Sequence, residues 1–231
     1  MTEAAAHIEL SVIVLLRNAE GYVARLIGDV VRLTDTLGLH GDAQRAHASP
    51  DGPSSSSGRG YEILALDERS RDNTLAALSL LHTRLPNLRT LQDLEPGGAL
   101  ERASHAARGR IWLVVDRPVD ATLAAWGVHQ VMSGHRAAIV PGEILVLERA
   151  FGRILLGDLT GGLVSAQELA TRRLRARKEA PAWSPAPNRG LLDRALLHVR
   201  SRLSRLGLGQ LDRPLVAPFR DADSPQGGGL L

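Results

Sequence analysis

The sequence predicts an α/β fold, a mostly parallel, Rossmann-like sheet flanked by helices and followed by a basic helical tail. Three observations carry this. Short β-branched apolar runs alternate with helix-spaced segments over about the first 150 residues. The runs are apolar at nearly every position, as strands covered on both faces require. Acidic residues follow the first, second and fourth runs, and in such sheets ligands sit outside the carboxyl ends of the strands.

Ile8 to Leu16 (IELSVIVLL) is the first strand, and Asn18 to Gly21 end it. Val23, Leu26, Ile27, Val30, Val31, Thr34 and Leu37 then follow helical spacing, with Gly38 as the stop. Residues 38–60 are rich in Gly, Ser, Pro, Asp and His and read as a flexible insertion. Its His40 and His47 lack packing neighbours in sequence and read as solvated rather than ligating. Tyr61 to Leu66 is the second strand, and Asp67 to Asp72 form its loop. A helix from Thr74 to Leu85 ends at Pro86–Asn87, with Ser70 or Asp72 available to cap it. Leu88 to Leu91 is a short third strand. A Pro96–Gly97–Gly98 turn leads to a helix over Ala99 to Ala107, and Ile111 to Val115 is the fourth strand. Ala121 to Val131 is predicted helical. Ala137–Val140 and Ile144–Leu147 are short strands around Pro141–Gly142.

Composition narrows the function classes. The 231 residues are 44% hydrophobic, enough for a packed core. Absence of cysteine excludes disulfides, zinc-thiolate sites, iron–sulfur clusters and a thiol nucleophile. No apolar run approaches the roughly 20 residues that span a bilayer. With no Lys or Arg before Arg17 and no cleavage-like site, no secretory signal is predicted, and the expected localisation is cytoplasmic. Three Trp, two Tyr and two Phe are too few for a single-strand stacking platform, so nucleic acid is not an expected partner. The formal net charge of +3 hides an asymmetry: residues 1–170 carry −4 and residues 171–231 carry +7. Lys178 is the only lysine, so the arginine usage reads as a compositional bias rather than phosphate chemistry.

The loops themselves carry a resemblance. SVIVLLRNAEGYVARLI, YEILALDERSRDNTL and LEPGGALERASHAARGRIWLVVDRP, in this order and spacing, resemble family 2 glycosyltransferases of the GT-A fold over roughly residues 8–118. The resemblance implies a nucleotide-sugar donor bound through Asn18, Glu20, Asp67, Glu68, Asp116 and Arg117, with Asp67 or Glu68 on the nucleobase. It also implies a divalent metal, Mg or Mn, held by the acids of an Asp-x-Asp motif whose first member is Asp116. Such a cation stabilises the departing diphosphate, and carboxylate oxygens suit it. The motif departs from the family at its second acid, which is Pro118 here, and a proline side chain ligates nothing. Three readings stay open: Asp120 supplies the missing ligand, Arg117 replaces the metal with a fixed charge, or the site is inactive. The lysine usual in the turn before the third helix is also absent, and Glu95 there would repel a diphosphate it faced.

Transfer to a hydroxyl needs a general base. The family's usual acidic pair is not visible, which leaves Asp158 as the catalytic candidate, with Glu143 and Glu148 behind it. Asp158 equally suits an ordinary turn or helix cap. A phosphate acceptor, already ionised, needs no base, which fits a lipid-linked acceptor.

The chain is expected to divide into a nucleotide-sugar-binding domain over 1–170, a basic linker and amphipathic helix over 171–207, and a disordered tail over 208–231. Arg172, Arg173, Arg175, Arg177 and Lys178 form a basic cluster. Leu192, Ala195, Leu196, Val199, Leu203 and Leu206 form a stripe at helical spacing. A basic amphipathic helix over 189–207 suits an anionic membrane surface, and suits docking on the body equally well. The function expected is therefore sugar transfer from a nucleotide-sugar to an acceptor. The alternative is an inactive paralogue that binds a nucleotide or a partner, at the membrane surface in one version.

Overall fold

Every residue of Ile111–Val115 is buried, because this strand lies in the middle of a sheet with helices on both faces. The computed structural model describes residues 8–39 and 60–184. In chain order the elements are β1 (Ile8–Leu16), α1 (Val23–Thr36), β2 (Gly60–Asp67), α2 (Thr74–His82), β3 (Leu88–Leu91), α3 (Ala99–Ala106) and β4 (Ile111–Val115). They continue as α4 (Ala121–Met132), β5 (Ala137–Val140), β6 (Ile144–Glu148), α5 (Arg149–Leu156), α6 (Leu163–Ala176) and β7 (Ala182–Trp183). Among the described residues the sheet has seven strands in the order β3-β2-β1-β4-β6-β5-β7. Only β6 runs against the rest: it pairs antiparallel with both β4 and β5, while the other pairings are parallel.

The two faces follow from strand alternation. Val12, Val14, Leu113 and Val115 face a core with α1, α2 and α4, joined by Leu26, Leu78 and Val128. Ile13, Trp112 and Val114 face the opposite core, joined by Leu100 of α3, Phe151 of α5 and Leu163 of α6. Trp112 is fully buried and donates its indole N–H to the Gly109 carbonyl at 3.0 Å. Gly152 of α5 lies directly on its ring: a Cβ there would stand 2.6 Å from the indole.

The amino ends of the strands are stitched by polar groups. Glu62 of β2 accepts from the Ser11 hydroxyl (2.7 Å), the Arg108 N–H (2.6 Å) and the Arg89 guanidinium (2.8 Å). The Ser11 hydroxyl accepts in turn from Gly109 N–H at 2.7 Å. A buried carboxylate is tolerable when its oxygens are filled in this way. Glu9 and Arg110 add an ion pair on the same rim.

Three expectations are adjusted. The helix expected to reach Leu85 ends at His82, and Arg84 and Leu85 N–H both turn back to the Leu81 carbonyl. The division expected after residue 170 falls inside α6, which runs unbroken to Ala176, and β7 joins the same sheet beyond it. Arg172, Arg173 and Arg175 are thus residues of a packed helix, and Arg173 donates to the Ile154 carbonyl at 2.7 Å. Gly38 and Gly60 at the ends of the expected insertion are described. His40, His47, the 189–207 stripe and the 208–231 tail lie outside the described residues.

Candidate nucleotide site at the carboxyl rim

The carboxyl ends of β1, β2 and β4 lie side by side. β1 and β2 are in register up to Leu16 opposite Asp67, and β1 and β4 up to Val14 opposite Val115. Asn18, Glu20, Asp67, Glu68, Asp116 and Arg117 therefore all stand on one rim. Because β6 is reversed, the 141–143 turn between β5 and β6 joins them: Val115 pairs with Ile144.

The β1 and β2 loops are locked together. Asn18 (φ +52°) donates its N–H to the Ser70 hydroxyl at 2.8 Å, and its Oδ1 accepts from Arg71 N–H at 2.8 Å. Ala19 N–H donates to the Thr74 hydroxyl (2.8 Å), and Glu20 N–H to Asp72 Oδ2 (3.0 Å). The Glu20 carboxylate accepts from the Asn73 backbone N–H (3.2 Å) and side-chain amide (2.9 Å). Asp72 also accepts from the Thr74 N–H (3.1 Å) and the Thr74 hydroxyl. Burial alone would push the Asp72 carboxyl up. The donors from Thr74 and Glu20 outweigh it and hold the group below the usual range. Asn18 and Glu20, expected on the nucleotide, tie the β1 and β2 loops together. Ser70, Asp72 and Thr74, expected only as helix caps and a helix start, form the other half of this lock.

Asp67 and Glu68 behave differently from each other. Asp67 is buried. Its Oδ2 accepts from Ser70 N–H at 3.1 Å, and its Oδ1 has no partner among the described residues. A buried carboxylate oxygen left unpaired is costly. Glu68 instead accepts from Gly97 N–H at 2.9 Å, in the turn leading to α3. Burial pushes its carboxyl up, and the N–H groups of Gly97 and Ala99 pull against that. Glu95 does not face the site unpaired: Arg69 holds it at 2.9 Å and holds Asp93 at 3.1 Å.

At the end of β4, Arg117 grips both oxygens of Asp116, Nε to Oδ1 at 2.7 Å and Nη2 to Oδ2 at 3.2 Å. Asp120 caps α4, its Oδ1 accepting from Thr122 and Leu123 N–H at 2.8 and 3.1 Å. Among the described residues no group of three or more His, Asp or Glu is placed to hold a metal ion.

The candidate bases separate by rim. Glu148 pairs with Ile111, at the amino end of β4, so it stands away from the acidic loops. Glu143 directly precedes Ile144, beside Val115 and Asp116. Asp158 is an exposed turn residue after α5. Its loop packs on the Gly97 turn, where Gly161 N–H donates to the Gly97 carbonyl at 2.8 Å. Gln167, with no role from sequence, is a buried clamp. It donates to the Val140 and Ile144 carbonyls and accepts from Gly142 N–H, all at 2.8–2.9 Å, and so fixes the turn that carries Glu143.

By sequence, neither a family profile nor a curated relative matches the chain. By structure, it is similar to a mannosyltransferase from Pyrobaculum calidifontis solved with GDP-Man and Mn²⁺ (TM-score 0.54, 19% identity, covering 90% of this chain and 66% of that one). It is also similar to S. aureus TarS 1–349 (0.51, 15%, 79% and 59%) and to a mycobacterial protein (0.51, 17%, 87% and 75%). The chain spans 53–66% of the length of the first four structures it matches. The strand order, the single reversed strand and these likenesses together establish that the chain has a GT-A glycosyltransferase-like fold.

Proposed function

We propose that the chain binds a nucleotide-sugar at its carboxyl rim and transfers the sugar to an acceptor. The observation that carries this is Asp67: a buried carboxylate at the end of β2 with one oxygen unpaired. An N–H of a nucleobase is the donor such an oxygen lacks. Asp116 and Arg117, one loop away at the centre of the sheet, would then lie towards the diphosphate. The GDP-Man complex of the similar mannosyltransferase supports the ligand class. Glu143 or Asp158 takes the proton of a hydroxyl acceptor; an ionised phosphate acceptor uses neither.

A second reading has its own support. Pro118 and the Asp116–Arg117 pair remove the usual metal acids, which favours a paralogue that binds a nucleotide or partner without turnover. Among the described residues no helix is long and apolar enough to cross a membrane. Attachment to an anionic surface through 189–207, on the cytoplasmic side, belongs to the proposal and is checked by liposome binding with and without that segment.

The direct experiment is thermal unfolding of the full chain with UDP- and GDP-sugars up to about 1 mM, since a ligand of the native state raises stability by mass action. A rise lost in Asp67→Asn is expected. No rise with any nucleotide would reject both nucleotide-based readings. A rise without sugar release or transfer would select the paralogue.

A further inference from the structure

The GT-A resemblance implies a divalent cation between protein and diphosphate, and the residues present do not fit one. Hard cations need several oxygen ligands and net negative charge. The second motif acid is Pro118. Asp120, two residues on, spends Oδ1 on the first turn of α4 at 2.8 and 3.1 Å. Asp116 has both oxygens engaged by Arg117. A cation placed here would meet a carboxylate already held at both oxygens and a guanidinium beside it.

We infer that this site holds the diphosphate of its nucleotide without a divalent cation, Arg117 supplying the positive charge. The inference rests on the nucleotide reading above. The Asp116 carboxylate acts as the anchor for Arg117: a two-point contact orients a planar guanidinium at the end of the central strand before any ligand arrives. Arginine stays charged over the whole range in which a protein is folded, so this charge cannot be stripped by chelation. Arg117 is about a quarter exposed in its side chain, held but reachable. Its neighbour Tyr22 reaches the Asp116 carbonyl from the start of α1, so the ion pair sits where the β1 and β4 loops meet.

The test is calorimetric binding of UDP and GDP to the full chain, in EDTA and in Mn²⁺. The expected result is equal affinity in the two, within about twofold. Arg117→Gln is expected to weaken binding in EDTA by about tenfold or more, with Arg117→Lys recovering part of it. The pair Arg117→Ser with Pro118→Asp, which frees Asp116 and restores a second acid, is expected to make binding respond to Mn²⁺. Wild-type affinity that rises tenfold or more with Mn²⁺ overturns the inference and leaves the nucleotide reading standing. So does Arg117→Gln binding in EDTA as wild type does. Absence of binding in every arm overturns the nucleotide reading itself.

Discussion

Gly97 donates its backbone N–H to Glu68 at 2.9 Å, tying the loop after β2 to the turn that starts α3. The carboxylate is partly buried, and that burial raises its affinity for a proton. The unfolded chain therefore loses this proton at lower pH than the native one. Stability from this group is highest below the ordinary glutamate range and falls as pH rises towards the folded value. Glu68→Gln keeps an acceptor for Gly97 and removes the charge. Its stability relative to wild type is expected to improve between about pH 4 and pH 7 in urea unfolding. A difference that stays flat, or moves the other way, would reject the account.

Asp72 has the opposite sign. Donors from Thr74 and Glu20 hold its carboxyl below the usual range. Its contribution is complete above the ordinary aspartate value and is lost as pH falls through the lower folded value. Asp72→Ala is expected to cost about 1 kcal/mol at neutral pH, the typical net worth of such bonds, and the gap should close in acid. Denaturation midpoints of the two proteins across the acid range measure it directly.

Gly152 packs on Trp112 with no room for a Cβ, which would lie 2.6 Å from the ring. Gly152→Ala is expected to destabilise by about 1–3 kcal/mol through overpacking. Gly28 of α1 meets nothing within 4 Å of a Cβ, so Gly28→Ala should be neutral or stabilising by helix propensity. Equal urea midpoints for the two variants would contradict the packing argument.

Gln167→Ala removes three buried hydrogen bonds to the 140–144 turn. A loss of about 3 kcal/mol is expected at roughly 1 per bond. Hydrogen exchange at the Gly142 amide should accelerate well beyond that at the β1 amides. Uniform acceleration would instead indicate global destabilisation.

The inner strands were legible because their burial on both faces leaves continuous apolar runs: Ile8–Leu16, Ile111–Val115 and Ala137–Val140 have the expected bounds, and so does the edge strand Leu88–Leu91. So was the meeting of three acidic loops on one rim, which follows from parallel strands alone. What each acid does there was not legible. Glu20 and Asn18 have the residue types of ligands, yet their side chains bond to the loop after β2, about fifty residues away. Asp120 looked available until the first turn of α4 claimed it. Glu148 was misplaced because strand direction is not written in an apolar run, and reversing β6 sends its last residue to the far rim. The cluster after residue 170 looked like the start of a tail because it is basic. Ala166, Ala170 and Leu174, the buried stripe of α6, carry that helix across the supposed boundary.

The stitching of Glu62 to Ser11, Arg89 and the Arg108 N–H bears on how this protein can change. It links β1, β2, β3 and the approach to β4 at the end of the sheet remote from the acidic loops, through groups that tolerate no slippage of one strand past another. Alignment of the strands is thus secured at the end of the sheet opposite the proposed nucleotide site. The loops opposite are left to vary in length and composition, so that loop exchange is expected to alter whatever they bind while the scaffold refolds unaltered.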